Sequence, residues 1–237
     1  MPRVPLLLLP LAVAVALVLS GCVWSRLLDW KAQLKDFDRY IAAVDQDQGL
    51  LLQFKEPCFR PTDIGYLFGG ERPSRQGERA GGGVYTMWSL RRDRADSLGV
   101  DLALGSPNAG EETLADSLLV PPQVLAFIPK DRLLATARAF GSAEIDKGKR
   151  VATAGLTGDD AKPLTPGRKK VVEALGEPDL SEQIDGLERL TFRFKLVQPD
   201  GSLGKATELI LDLRGEQLVA ARLKAPNFNA WMKFDGT

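Results

Sequence analysis

The chain offers two thiols, Cys22 and Cys58, and no histidine. A thiol attacks as its thiolate, the side-chain form most readily alkylated. Without histidine the commonest general base and the commonest zinc ligand are missing. Acid–base work would then fall to paired carboxylates or a Ser–Lys pair. Adjacent carboxylates occur at Glu111-Glu112 and Asp159-Asp160, both among turn residues and without metal-ligand spacing. They read as solvated loop charges. Gly81-Gly82-Gly83 is not followed by the Lys-Ser/Thr pair of a phosphate loop. Arg168-Lys169-Lys170 reads as a solvated first helical turn. The expectation is a protein that is not an enzyme, with no catalytic residue, no metal site and no cofactor.

The setting of Cys22 is more informative. Apolar residues run from Leu6 to Leu19, interrupted by Pro10, behind the short charged start Met1-Pro2-Arg3. About 14 residues suit the h-region of a signal peptide, whereas a membrane span needs about 20. The run ends in Leu19-Ser20-Gly21-Cys22. These four residues resemble the lipobox of bacterial lipoproteins. The resemblance implies cleavage before Cys22 and acylation of its thiol and of the new amine. Two or more acyl chains hold a protein stably on a bilayer where one does so only marginally. The expected location is the bacterial cell envelope. Val23 stands where that family's inner-membrane retention signal would place Asp, which points to the outer membrane, facing the periplasm.

Composition narrows the partners. The 31 basic and 31 acidic residues balance, so nothing favours nucleic acid or an anionic surface. A chain that is 44% hydrophobic and 26% charged folds rather than staying disordered. The residues from Cys22 onward suffice for one large or two small domains. With Cys22 acylated, Cys58 has no internal disulfide partner. Between the apolar residues of "FKEPCFRP" it reads as a buried, inert thiol, with an intermolecular bridge or a reactive thiol as alternatives.

The elements that would position these groups follow from periodicity. Leu27, Trp30, Leu34, Phe37 and Ile41 recur at helical spacing, which predicts an amphipathic helix over Ser25–Tyr40. Trp24 and Trp30 would meet either the lipid interface or the domain. Asp45–Gly49 reads as a turn and Leu50–Phe54 as a strand; the segment before the turn is either helix end or strand. Thr62 or Asp63 can cap a short helix with Ile64, Leu67 and Phe68 on its apolar face. A strand follows from Val84. The stretch Asp93–Leu118 reads as a long loop. "LLVPPQVLAFIPKDRLLATARAF" reads as two strands joined at Pro129–Arg132.

The second half is clearer. Thr165 suits an N-cap, Pro166 a first helical position and Gly176 the C′ position, around Val171, Val172 and Leu175. "LERLTFRFKLV" alternates as a strand, Asp200-Gly201 marks a turn, and a hairpin is expected around Arg214–Gln217. The halves echo one another: Leu133 and Ala135 match Leu218 and Ala220 at a common offset of 85 residues.

The stretch "TPGRKKVVEALGEPD" with its Leu175-Gly176-Glu177-Pro178 turn, and Phe192 and Phe194 in the strand beyond, resembles the SmpA/OmlA (BamE-like) outer-membrane lipoprotein family over Leu164–Phe234. The resemblance implies an α+β fold, with short helices packed on antiparallel three-stranded sheets, here as two tandem BamE-like halves. The expected organisation is a lipoprotein signal peptide over 1–21, a lipid-anchored helix and tether over 22–48, a first half over 49–145, a linker over 146–163 and a BamE-like half over 164–237. The implied function is a non-enzymatic adaptor in outer-membrane protein assembly or envelope integrity. Its partners would be the membrane, through the lipid on Cys22, and other envelope proteins, with no nucleic acid. Phe228, Trp231, Met232 and Phe234 are the candidate partner-binding residues, unless they close the core. The alternative is a ligand-binding or inhibitor-type lipoprotein with a concave site formed by the sheets.

Overall fold

The computed structural model describes residues 23–79, 82–92, 99–110, 112–146, 148–156 and 166–234. Cys22 and the expected signal peptide over 1–21, Glu111, Asp159-Asp160 and the expected cap Thr165 lie outside the described residues. The helix expected over Ser25–Tyr40 is α1 (Val23–Lys35), broken at Asp36 and followed by one further turn, α2 (Phe37–Tyr40). β1 (Ile41–Gln46) and β2 (Gly49–Phe54) then form a hairpin across Asp47 and Gln48. The segment before the turn is therefore a strand.

α3 (Pro61–Leu67) starts with proline in its first turn, and the Asp63 carboxylate accepts the Arg60 backbone N–H at 2.9 Å. β3 (Arg75–Glu78), β4 (Val84–Arg92), β5 (Gly99–Ser106) and β6 (Ser117–Val120) follow. The expected loop over Asp93–Leu118 thus contains a strand and the first half of another. Val100, Leu102 and Leu104 alternate with Asp101 and Ala103, but the polar flanks mask so short a period.

The next stretch corrects the sequence reading further. Where two strands were expected, the chain forms α4 (Pro122–Phe127) and α5 (Lys130–Gly141). Pro121 and Pro129 hold the N-cap positions of these helices, and Lys, Leu, Ala and Arg are strong helix formers. The proposed echo fails here, because the matching segment of the second half is β11 (Leu203–Arg214) and β12 (Gln217–Ala225). The chain is completed by β7 (Glu144–Asp146), β8 (Val151–Gly155), α6 (Gly167–Leu175), β9 (Leu180–Ile184), β10 (Leu187–Val197) and β13 (Phe228–Lys233). Gly176 ends α6 at φ +75°, as its place in the sequence suggests.

Among the described residues thirteen strands form one mixed, unclosed sheet, with 46% of those residues in strands against 26% in helices. The expected α+β fold with three-stranded BamE-like halves is overturned. The strand order of the observed sheet is β1-β2-β6-β5-β4-β10-β11-β12-β13-β8-β7, with β3 beside β4 and β9 beside β10. Neighbours run antiparallel except β13 and β8, which are parallel. The two halves join through three residue pairs, Leu90↔Leu196, Arg91↔Lys195 and Arg92↔Phe194. Next to that seam the buried Arg92 donates to the Leu175 carbonyl and to Asp179, both at 2.8 Å, tying β4 to the end of α6.

The sheet's inner face is apolar and covered by helices. Two packed clusters lie on it: Leu50, Leu52, Phe59 and Trp88 belong to one, and Phe192, Leu211, Leu213 and Phe234 to the other. Leu90 and Phe140 touch both, so the halves share a continuous interior. Each fully buried leucine or phenylalanine contributes about 1.5–3 kcal/mol. The opposite face carries charges paired across strands, as expected for an antiparallel sheet with one wet side. Asp212 bonds Arg189 at 2.6 Å and Arg222 at 3.0 Å, while Glu208 pairs with Arg193 and Lys224.

Candidate functional site: an apolar cavity beneath the first helix

Because the sheet is open, the interior near its two ends has to be covered by other elements. α1 and α5 do this, packed against each other. A cavity of about 340 Å³ remains between them and the sheet. α1 contributes Trp24, Leu27, Leu28 and Lys31; α5 contributes Leu133, Leu134, Ala137 and Phe140. Leu52, Phe54 and Val120 close it from one end of the sheet, and Ala152, Phe228 and Ala230 from the other. Lys31 and Thr136 are its only lining residues that are not apolar.

Trp24, Leu27, Leu28 and Lys31 fall at helical intervals of three and four, so one stripe of α1 faces the cavity. Leu34 continues the same stripe, lining the cavity while buried in the core. Close approach of α1 and α5 depends on Gly141: a Cβ there would lie 2.1 Å from the Lys35 backbone nitrogen. α1 is also pinned to α3, where Arg26 Nε and Nη2 bond the two carboxylate oxygens of Asp63 at 2.7 and 2.5 Å.

Three observations bear on what the cavity can hold. The lining is almost wholly apolar, and apolar cavities of about 150 Å³ are known to stay dry and to accept a hydrocarbon such as benzene. The Thr136 hydroxyl and the Trp30 indole N–H, both on lining residues, are buried without a hydrogen-bond partner. Lys31 makes no ion pair among the described residues. The chemistry is that of a hydrocarbon binder with a few polar groups available to a head group.

The candidate partner-binding residues are divided among different environments. Met232 and Phe234 are buried in the second core cluster. Phe228 lines the cavity. Trp231 lies on the outer face, with the Arg222 guanidinium 4.5 Å and the Lys233 ammonium 5.3 Å from its ring centre. Cys22, the candidate lipidation site, lies outside the described residues, but α1 begins at the next residue.

The remaining reactive groups find ordinary roles. Burial pushes the Cys58 thiol up to about 11, with the Asp29 and Asp63 carboxylates adding to the effect. Glu112 pairs with Arg60, and Arg168 pairs with Glu188 at 3.0 Å. Among the described residues no cluster of three or more Cys, Asp or Glu side chains could hold a metal ion.

Sequence reasoning missed the cavity because it read α5 as a strand. The signal was nevertheless present in Leu133, Leu134, Ala137 and Phe140, at helical spacing. Comparisons with protein-family models, with curated proteins and with solved structures find no match for this chain.

Proposed function

We propose that this protein is a lipid-anchored envelope protein that binds the hydrocarbon chain of an amphiphile. The observation that carries this reading is the roughly 340 Å³ apolar cavity between α1, α5 and the open sheet. It falls within the range of small-ligand sites, about 300–1,000 Å³. Each methylene buried there contributes about 0.8 kcal/mol. Lys31 supplies a cation to a head group, and the unpartnered Thr136 hydroxyl supplies a hydrogen bond to a carbonyl. The resemblance of Leu19-Ser20-Gly21-Cys22 to a lipobox supports a setting among such molecules, and the helix that begins at Val23 forms one wall of the site.

This favours the ligand-binding alternative over the adaptor. Of the four aromatic or apolar residues assigned to partner docking, Met232 and Phe234 are taken up by the core and Phe228 by the cavity.

The test is titration of a secreted Cys22→Ala form, which lacks the acyl acceptor, with 11-(dansylamino)undecanoate. Saturable fluorescence enhancement at one site is expected. Ala137→Trp and Ala230→Phe, which fill the cavity, should abolish it while leaving the circular dichroism spectrum unchanged. Failure of the parent protein to bind, or equal binding by both filled variants, overturns the reading.

A further inference from the structure

A second cavity, of about 450 Å³, lies at the start of α3 and shares no lining residue with the first. Its character is different. Thr86 and Trp88 of β4 and Ser106 of β5 form a buried floor, while Arg72, Gln76 and Asn108 stand exposed at the rim. The Trp88 indole N–H and the Ser106 hydroxyl are buried and have no hydrogen-bond partner. Trp88 is 0% and Ser106 2% exposed, so neither group turns to bulk solvent instead. Buried polar groups are nearly always satisfied, and two orphans in one cavity point to a missing partner.

The available groups define the chemistry of that partner. An indole N–H only donates, as does a guanidinium, while a hydroxyl does either. Arg72 has no ion pair or hydrogen bond among the described residues. Glu71, the one carboxylate in the lining, is already engaged: it accepts from Gln198 Nε2 at 2.7 Å and from the Lys205 backbone N–H at 3.0 Å. Those two bonds occupy the Glu71 carboxylate oxygens, so the lining offers hydroxyls and amides, which donate as well as accept, the indole N–H, and the Arg72 cation at the mouth. Pro61, Pro73 and the Trp88 ring give it apolar walls.

We infer that this cavity is a binding site for a small oxyanion, carboxylate or phosphate, carried on an apolar body. Trp88 and Ser106 would bond the ligand from the floor, and Arg72 would neutralise its charge from the rim. The site is independent of the hydrocarbon cavity, and its failure would leave that reading intact.

The experiment uses nitrogen-15-labelled full-length protein in zwitterionic micelles, observing the indole N–H signals of its four tryptophans. The Trp88 signal is assigned from Trp88→Phe. Benzoate and phenyl phosphate are titrated separately, with neutral benzamide as control. One or both oxyanions should shift the Trp88 signal saturably, and the tighter of the two identifies the acid. Arg72→Gln, at an exposed position, should weaken binding by at least about tenfold, the effect of losing a charge-assisted hydrogen bond. The inference is overturned if neither oxyanion moves the Trp88 signal, if benzamide moves it equally, or if Arg72→Gln binds as the parent does.

Discussion

Arg26 in the first turns of α1 and Asp63 in α3 form a two-point ion pair in which the Asp63 side chain is 1% exposed. The same carboxylate caps α3 by accepting the Arg60 N–H. One buried acid therefore fixes the start of α3 and the position of the helix that walls the apolar cavity. Bidentate geometry makes this a strong form of ion pair, but much of its importance lies in what removal leaves behind.

Replacing Arg26 by alanine leaves Asp63 buried without its cation, which should cost about 3–5 kcal/mol. The double substitution Arg26→Met with Asp63→Leu should cost less, about 1 kcal/mol for the lost cap on the Arg60 N–H, because no buried charge remains. Chemical denaturation of the three proteins measures this. A single-variant loss below about 1 kcal/mol, the range of exposed pairs, would show that α1 is not held this way.

Gly141 is where α5 meets α1. A methyl group there collides with backbone at Lys35, not with a flexible side-chain tip. Gly141→Ala should therefore destabilise by about 1–3 kcal/mol, as overpacking does, even though alanine is the better helix former. Thermal unfolding would show a lowered midpoint. An unchanged or raised midpoint would mean that the helices separate freely.

Cys58 should be a poor nucleophile. With its thiol held near 11, against an ordinary value of 9.0, its thiolate fraction at pH 8 falls about a hundredfold. Iodoacetamide labelling of the Cys22→Ala protein should be slow at pH 8 in buffer and fast in denaturant. Between about pH 9 and 11 the folded state keeps a proton that the unfolded state releases. Stability contributed by the neutral thiol is therefore present below pH 9 and declines across that window. Rapid labelling of the folded protein at pH 8 would contradict the environment described for Cys58.

Much of the local structure was legible in advance. The 3.6-residue period of Leu27, Trp30 and Leu34 marks α1, Gly176 stops α6, and the alternation of Leu190, Phe192 and Phe194 marks β10. These features rest on interactions within a few residues, which composition and spacing record directly. Leu133–Phe140 fits strand or helix as an apolar run of that length, and Pro129, which reads as part of a strand-joining turn, instead caps a helix.

The sheet's continuity is a different matter. Joining the halves takes only Leu90, Arg91 and Arg92 against Leu196, Lys195 and Phe194, residues more than a hundred positions apart. No periodicity reports such a pairing, because strand partners are chosen by long-range packing. The cavities depend on that choice in the same way. By itself the sequence determined an amphipathic first helix and a strand-rich second half. The tertiary structure alone decided that Phe54 and Phe228 would face one apolar cavity, and that Trp88 and Ser106 would meet in another. The physical reason is that a cavity is the space left between elements after they pack, and no single element encodes it.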